Sequence, residues 1–247
     1  MNTKIFKFFV ENLTETFNLP KYQGLLINKD TVYTELPWTP AKRDKFERSV
    51  KDTFNLDVTF KGTIKDIVTD IDTRYLHWFF GQTWKPRTEE FGFTGWGIVD
   101  EVNKHNPQSV LDVGCGYNQF KHKIKGLVGI DPFNAAADYM VDILEYNVDD
   151  RYDAILVFGS INFNEYEDID ARVAQVVKLL ADNGRIYFRA NPGVQHDKTQ
   201  GAPYHGPWVD VFAWSFEYAK HFAEKYNLEL ETFKKDNNSR LFFVYKK

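Results

Sequence analysis

Cysteine is almost missing from this chain: one residue, Cys115, in 247. A single thiol leaves no intramolecular disulfide framework and no multi-cysteine zinc site, so no metal centre is expected and a reducing, cytoplasmic setting is the natural one. Long apolar runs are missing too. The N-terminal MNTKIFKFFVENLTETFNL is interrupted early by Glu11 and Glu15, so neither a signal peptide nor a membrane span is expected. There is no excess of positive charge. A net charge of −4 argues against a protein that coats nucleic acid, because neutralising phosphates favours a basic footprint. No repeat or low-complexity tract is present.

Apolar and aromatic residues are plentiful, at 43% and 17%. That is enough core for one large domain, or for a medium one with a small partner. Many of the aromatics precede residue 100, and the first hundred residues differ in style from the rest. Ile5, Phe8, Phe9, Leu13 and Phe17 recur at helical spacing over residues 3 to 17. LLINKDTVYTEL predicts a hairpin around Asn28-Lys29-Asp30. PAKRDKFERSVKDTF predicts a solvated helix with Pro40 near its start; its Lys42, Arg43, Lys45, Arg48 and Lys51 interleave with acids as on a soluble helix face. An aromatic group follows: Tyr75, Trp78, Phe79, Phe80, Trp84, Phe91, Phe93 and Trp96. Its simplest use is core packing, with a lid or stacking surface as the alternative. Residues 1–94 are therefore expected to form an N-terminal α+β extension on the substrate side.

From residue 95 the rhythm becomes strand–helix alternation. GIVDEVNKHNP predicts a short helix, and SVLDV, LVGID, ADYMVDI and DAILVFG predict four short strands of the kind buried on both faces. A helix over 166–182 carries Ile169, Val173, Val176, Val177 and Leu180 on one face, with Asn183-Gly184 as its stop. RIYFRA is a fifth strand. After a Gly/Pro/His-rich loop, a last helix carries Phe212, Phe216, Ala219, Phe222 and Tyr226. LELETF and RLFFVYKK, joined by a turn at Asp236-Asn237-Asn238, must pair antiparallel. The expected fold over 95–247 is thus α/β: an open, mostly parallel sheet with helices on both faces and an antiparallel last strand.

The stretch LDVGCGYNQFKHKIKGLVGIDP (111–132) carries the chemistry. After a buried strand, Gly114 and Gly116 let the chain turn sharply and let a ligand approach the backbone. Asp131 ends the next strand within reach of the same crevice, where a carboxylate would accept hydrogen bonds from a ribose diol. Dinucleotides and S-adenosylmethionine both suit such a loop. The dinucleotide fingerprint needs a third glycine and a helix N-terminus for the pyrophosphate, and here the run reads G-C-G-Y-N-Q. Asp112 adds negative charge near the same place, which a ligand bearing an α-amino group would welcome. The residues therefore favour S-adenosylmethionine over NAD.

LDVGCG, GIDP, DYMVDI, YDAILVFGSINF and LLADNGRIYFRANPG together resemble the class I S-adenosylmethionine-dependent methyltransferases, over roughly residues 95–247. The compact G-C-G-x-N form resembles a subgroup that includes phage-type proteins. The resemblance implies a Rossmann-like fold and S-adenosylmethionine as cofactor. By the same resemblance Asp112, Gly114, Cys115 and Gly116 shape the methionine pocket and Asp131 holds the ribose. Asp142 and Ile143 meet the adenine edge, and Phe158, Gly159 and Ser160 line the methionine end. Asn118 stands where a third glycine is frequent, tolerable if its side chain replaces a backbone contact. The segments 116–131 and 131–142 are short, leaving about two helical turns in the first.

Methyl transfer needs aligned approach more than a dedicated acid or base. Candidates for a proton-handling role are Asn162, Asn191, His196, Tyr204 and His205, with Asn191 and His205 preferred. Cys115 is expected to be a buried, inert thiol. Lys121, Lys123 and Lys125 flank the loop, either on a surface helix or to attract an anionic substrate. Neither FGSINF nor Asn191-Pro192 repeats the Asn/Asp-Pro-Pro-Tyr pattern of methylases that act on base amines. The expected function is methyl transfer to a small-molecule acceptor; the alternatives are a nucleic-acid methyltransferase and a non-catalytic assembly or regulatory protein on the same fold.

Overall fold

The computed structural model describes residues 1–20, 27–83, 95–192, 208–209, 211–236 and 239–247. The chain divides into two compact units. The first holds the described residues up to Phe80 together with Trp208 and Val209, and the second holds the rest. Two residues from late in the chain thus belong to the first unit.

In the first unit, α1 (Thr3–Thr16) starts where the Asn2 side chain accepts from the Lys4 and Ile5 amides, and α2 (Pro40–Phe54) starts at Thr39 with proline in its first turn. The third helix, α3 (Ile64–Thr83), has no counterpart among the sequence expectations. Its signal is Thr63-Ile-Lys-Asp66: Asp66 Oδ2 accepts from the Thr63 amide at 2.8 Å, and Thr63 Oγ1 accepts from the Asp66 amide at 3.2 Å, a capping box with aspartate in the acidic role. Ile64, Ile67, Val68, Ile71, Tyr75 and Phe79 are buried along the helix. The predicted hairpin does not form over its described part. Residues 29–30 make a turn, Val32 makes one isolated antiparallel bridge with Thr63, and Tyr33–Glu35 is a 3₁₀ turn. Aromatic packing holds the unit: Phe8 and Phe54 both meet the Trp208 ring, at 5.4 and 4.8 Å. Asn2 Nδ2 donates to the Trp208 carbonyl at 2.6 Å.

The second unit is a six-stranded sheet in the order β2-β1-β3-β4-β6-β5, built from β1 (Val110–Val113), β2 (Leu127–Ile130), β3 (Tyr152–Phe158), β4 (Leu180–Ala190), β5 (Glu229–Lys235) and β6 (Leu241–Lys246). β2, β1, β3 and β4 are parallel, and β6 runs antiparallel to both β4 and β5. Alternation along the strands sorts the two faces. Leu111, Val113, Ile155, Val157, Ile186, Phe188, Phe243 and Tyr245 share a core with α5 (Tyr166–Leu179) and α6 (Phe216–Lys225). Val110, Ala154, Leu156, Tyr187 and Val244 share the other with α4 (Trp96–Lys104), Phe120 and Ile124.

Several details differ from the expectation. The last helix, α6, begins at Phe216 behind its Ser215 cap, so Phe212 precedes it instead of lying on its face. ADYMVDI is not a strand; it contributes one isolated parallel bridge, Ile130 to Tyr139. With so few residues between Asp131 and Asp142 the chain cannot cross over and return as a full strand. Residues 117–126 are turns and bends, not the two expected helical turns. The helix over 166–182 stops at Leu179, and β4 begins at once. Asn183, at φ 63°, therefore lies within β4, near the register shift opposite Tyr152 and Ala154.

Candidate active site

The carboxyl ends of β1, β2 and β3 bring most of the sequence-predicted residues together. Gly114 adopts φ +71°, and a Cβ there would lie 2.3 Å from Ser160 Cβ; glycine is needed because the loop after β1 touches the loop after β3. Gly116 has φ +55°, but a Cβ there would meet nothing within 4 Å. Asn118, at φ 53°, takes the left-handed conformation that a third glycine would supply, and asparagine tolerates it. Its Nδ2 donates to the Ala136 carbonyl and to Asp138 Oδ2, both at 3.2 Å. Asp138 Oδ2 also accepts from Lys121 Nζ at 2.7 Å and from the Gly129 amide at 2.8 Å. Asn118 thus ties the loop to the segment after β2.

Four of the loop's amides are already used. Gly114 and Cys115 N–H both donate to the Ile130 carbonyl, at 2.8 and 3.0 Å, and Asn118 N–H donates to the Cys115 carbonyl at 2.9 Å. Gly116 N–H donates to Asp131 Oδ2 at 2.9 Å. Asp131 is buried, and its other oxygen accepts from the Phe133 amide at 2.8 Å. Burial raises its carboxyl above the ordinary range, and those main-chain donors partly oppose the shift. A carboxylate has about four lone-pair sites, so Asp131 can serve the loop and still accept from a ligand.

Asp112 is the anomaly. It is 2% exposed in the middle of the sheet, and its Oδ2 has no hydrogen-bond partner among the described residues. Desolvation first, and Asp131 second, push its carboxyl up to about 7. Buried carboxylates are normally paired, and an unpaired one at a ligand-binding position is a site candidate. Ser160 Oγ, against Gly114, is likewise enclosed without a partner. Cys115 is buried, and desolvation with the carboxylates around it raises its thiol far above the ordinary value, so it is not a thiolate nucleophile.

Other predicted residues are occupied elsewhere. Asp142 accepts from Arg172 Nη1 on both oxygens, at 2.8 and 2.7 Å, and from the Leu144 amide at 3.0 Å. The Ile143 side chain belongs to the core under α5 and α6. Phe158 packs edge-to-face on Phe120, and Phe120 on Trp96; Gly159 turns with φ +93°. Asn191 is 0% exposed, and its amide donates to Asn162 Oδ1 at 3.0 Å while its carbonyl accepts from Trp214 at 2.9 Å. His196, Tyr204 and His205 lie outside the described residues, as do Trp84, Phe91 and Phe93. Of the flanking lysines, Lys121 is held by Asp138 and Lys125 by Gln108 Oε1 at 2.9 Å.

The parallel sheet, the reversed β6 and the glycine loop at the first strand's end define the class I S-adenosylmethionine-dependent methyltransferase fold. No protein-family model matches the chain, and no curated protein matches it in sequence. Solved structures match it in fold. One is the Burkholderia thailandensis 1,6-didemethyltoxoflavin N1-methyltransferase with its substrate and S-adenosylhomocysteine bound. It is 12% identical with a TM-score of 0.52, over 71% of this chain and 85% of that one. A Micromonospora echinaspora amino pentose methyltransferase with S-adenosylmethionine bound is 13% identical, TM-score 0.51, over 71% and 96%. An S-adenosylmethionine-dependent methyltransferase from Clostridium acetobutylicum is 13% identical, TM-score 0.51, over 71% and 98%.

Proposed function

We propose that the second unit binds S-adenosylmethionine and that the protein transfers a methyl group to a small molecule. The observation that carries the reading is a glycine loop whose Gly114, Cys115, Gly116 and Asn118 amides are spent, next in the chain to a buried, unpaired Asp112 carboxylate. A dinucleotide needs free amides and a helix N-terminus for its phosphates. Here the Gly114, Cys115, Gly116 and Asn118 amides are taken, and turns follow the loop instead of a helix. Asp112 asks for a cation, which the α-ammonium of an adenosyl amino acid supplies. The residues present therefore fit this cofactor.

In this reading Asp112 holds the ammonium and Asp131 the ribose hydroxyls, while Gly114 and Gly116 keep the crevice free of side chains. Bound S-adenosylmethionine supplies an electrophilic methyl group on a sulfonium sulfur. The chain's own contribution is to align the acceptor with that methyl and exclude water. Asn191, fully buried, is not assigned proton transfer. The acidic net charge and the small-molecule acceptors named for two fold neighbours support a small-molecule acceptor over a nucleic acid.

Equilibrium dialysis tests the reading. S-adenosylhomocysteine should be retained by the protein and NAD should not, and Asp112→Asn should weaken retention at least tenfold. Retention of NAD in preference, or equal retention by the variant, would contradict it.

A further inference from the structure

A second concave site lies between the N-terminal ends of α5 and α6. It is a cavity of about 410 Å³ lined by Tyr166, Glu217, Tyr218 and His221, a volume in the range of small-molecule pockets. None of these residues belongs to the glycine-loop site. The aromatic walls are held from behind. The Tyr166 ring stacks on buried Phe222 with 5.7 Å between centroids, and the Tyr218 ring leans on buried Phe212 at 4.8 Å. Tyr166 Oη and His221 Nε2 share a hydrogen bond of 2.7 Å, which ties those two side chains together. Tyr218 is nevertheless 38% exposed, so packing does not use up its ring. Walls fixed in advance lower the cost of ordering a bound ligand.

The charges around the cavity select its occupant. Glu217 lines it as a carboxylate, held below the ordinary range by its own main-chain amide and by the Ser215 hydroxyl. The lysines of α6 are committed: Lys225 Nζ reaches both oxygens of Asp170, at 2.8 and 2.7 Å, and Lys220 pairs with Glu224 at 3.6 Å. Helix N-terminal ends favour anions, but Glu167 and Asp168 already occupy the first turn of α5, and Glu217 that of α6. An incoming anion would meet those carboxylates. A cation meets the negative faces of aromatic rings instead. Tyr166 already serves a cation in this way, with Lys225 Nζ 5.8 Å from its ring centroid. An exposed carboxylate adds little by ion pairing, so the rings must carry most of the attraction, and that favours a weakly hydrated, methylated ammonium. We propose that this cavity binds a small organic cation through a methylated ammonium group seated against Tyr166 and Tyr218, with Glu217 as counter-charge. The site stands independently of the adenosyl-ligand reading.

The test is a proton NMR titration of the whole protein with choline and with neohexanol, its uncharged carbon isostere. The choline methyl resonance should move upfield, because aromatic faces shield it, and should saturate in the millimolar range. Neohexanol should bind about fivefold more weakly, the size of one exposed cation–π contact. Both results are read on wild type and need no variant. Tyr218→Leu keeps apolar bulk but removes the ring face, and should weaken choline binding by about fivefold, whereas Tyr218→Phe keeps the face and should bind choline within about twofold of wild type. Equal binding of the two probes would make the cavity a general apolar recess and overturn the proposal. Unchanged choline binding by Tyr218→Leu would overturn it too, as would a loss in Tyr218→Phe as large as in Tyr218→Leu. A choline resonance that does not move with wild type overturns it outright.

Discussion

At the residue scale, the two glycines of the loop are needed for different reasons, and substitution should separate them. Gly114→Ala combines a left-handed φ with a Cβ placed 2.3 Å from Ser160, so it should cost about 3 kcal/mol. Gly116→Ala meets open space and should cost only about 1 kcal/mol, from φ alone. Urea midpoints of the two variants decide this, and equal losses would contradict it. Asp112 gives a signature in pH. Its folded carboxyl titrates at about 7 against an ordinary 3.8, so between those values the folded chain keeps a proton that the unfolded chain releases. Its contribution to stability is complete below about pH 4 and is lost as pH rises through 7. Asp112→Asn does not titrate. It should match wild type in relative stability near pH 4 and gain on it by on the order of 2–4 kcal/mol above pH 7. A difference that stays constant with pH would show that Asp112 is not buried and unpaired.

At the element scale, legibility followed how local the signal was. β1 and β3, α1, α2 and the closing β5–β6 hairpin are short-range patterns and stand where the periodicity puts them. α3 is less legible because its aromatics blur the helical period, and its start rests on the reciprocal Thr63–Asp66 bonds alone. Thr63→Ala should destabilise the first unit by about 1 kcal/mol in thermal unfolding, the usual effect of losing an N-cap; no loss would mean that the helix is held by packing alone. ADYMVDI reads as a strand because Tyr139, Met140 and Val141 suit one. Whether it can pair depends on the chain available to bring it round, and only Tyr139 bridges. The same non-locality hides the partners of the site residues. Nothing near Asp142 in sequence points to Arg172, thirty residues on, and nothing near Asn162 points to the amide of Asn191.

At the scale of the whole molecule, the chain carries one reporter thiol in the second unit. Burial and neighbouring carboxylates hold Cys115 protonated, so a thiol reagent should label it at the rate of unfolding and not before. Fast labelling of the native protein would contradict the closed loop described here. No helix among the described residues is long and apolar enough to cross a membrane. The central claim is that the glycine loop serves an adenosyl amino acid, and thermal unfolding with S-adenosylmethionine, S-adenosylhomocysteine or NAD tests it most directly, with Asp131→Ala as control. At about 100 times the dissociation constant, binding should stabilise the second unit by roughly 2.7 kcal/mol, a rise of about 5–10 °C in its midpoint. The account predicts that rise with both adenosyl ligands, its loss in Asp131→Ala, and none with NAD. No shift with either adenosyl ligand at millimolar concentration would contradict it.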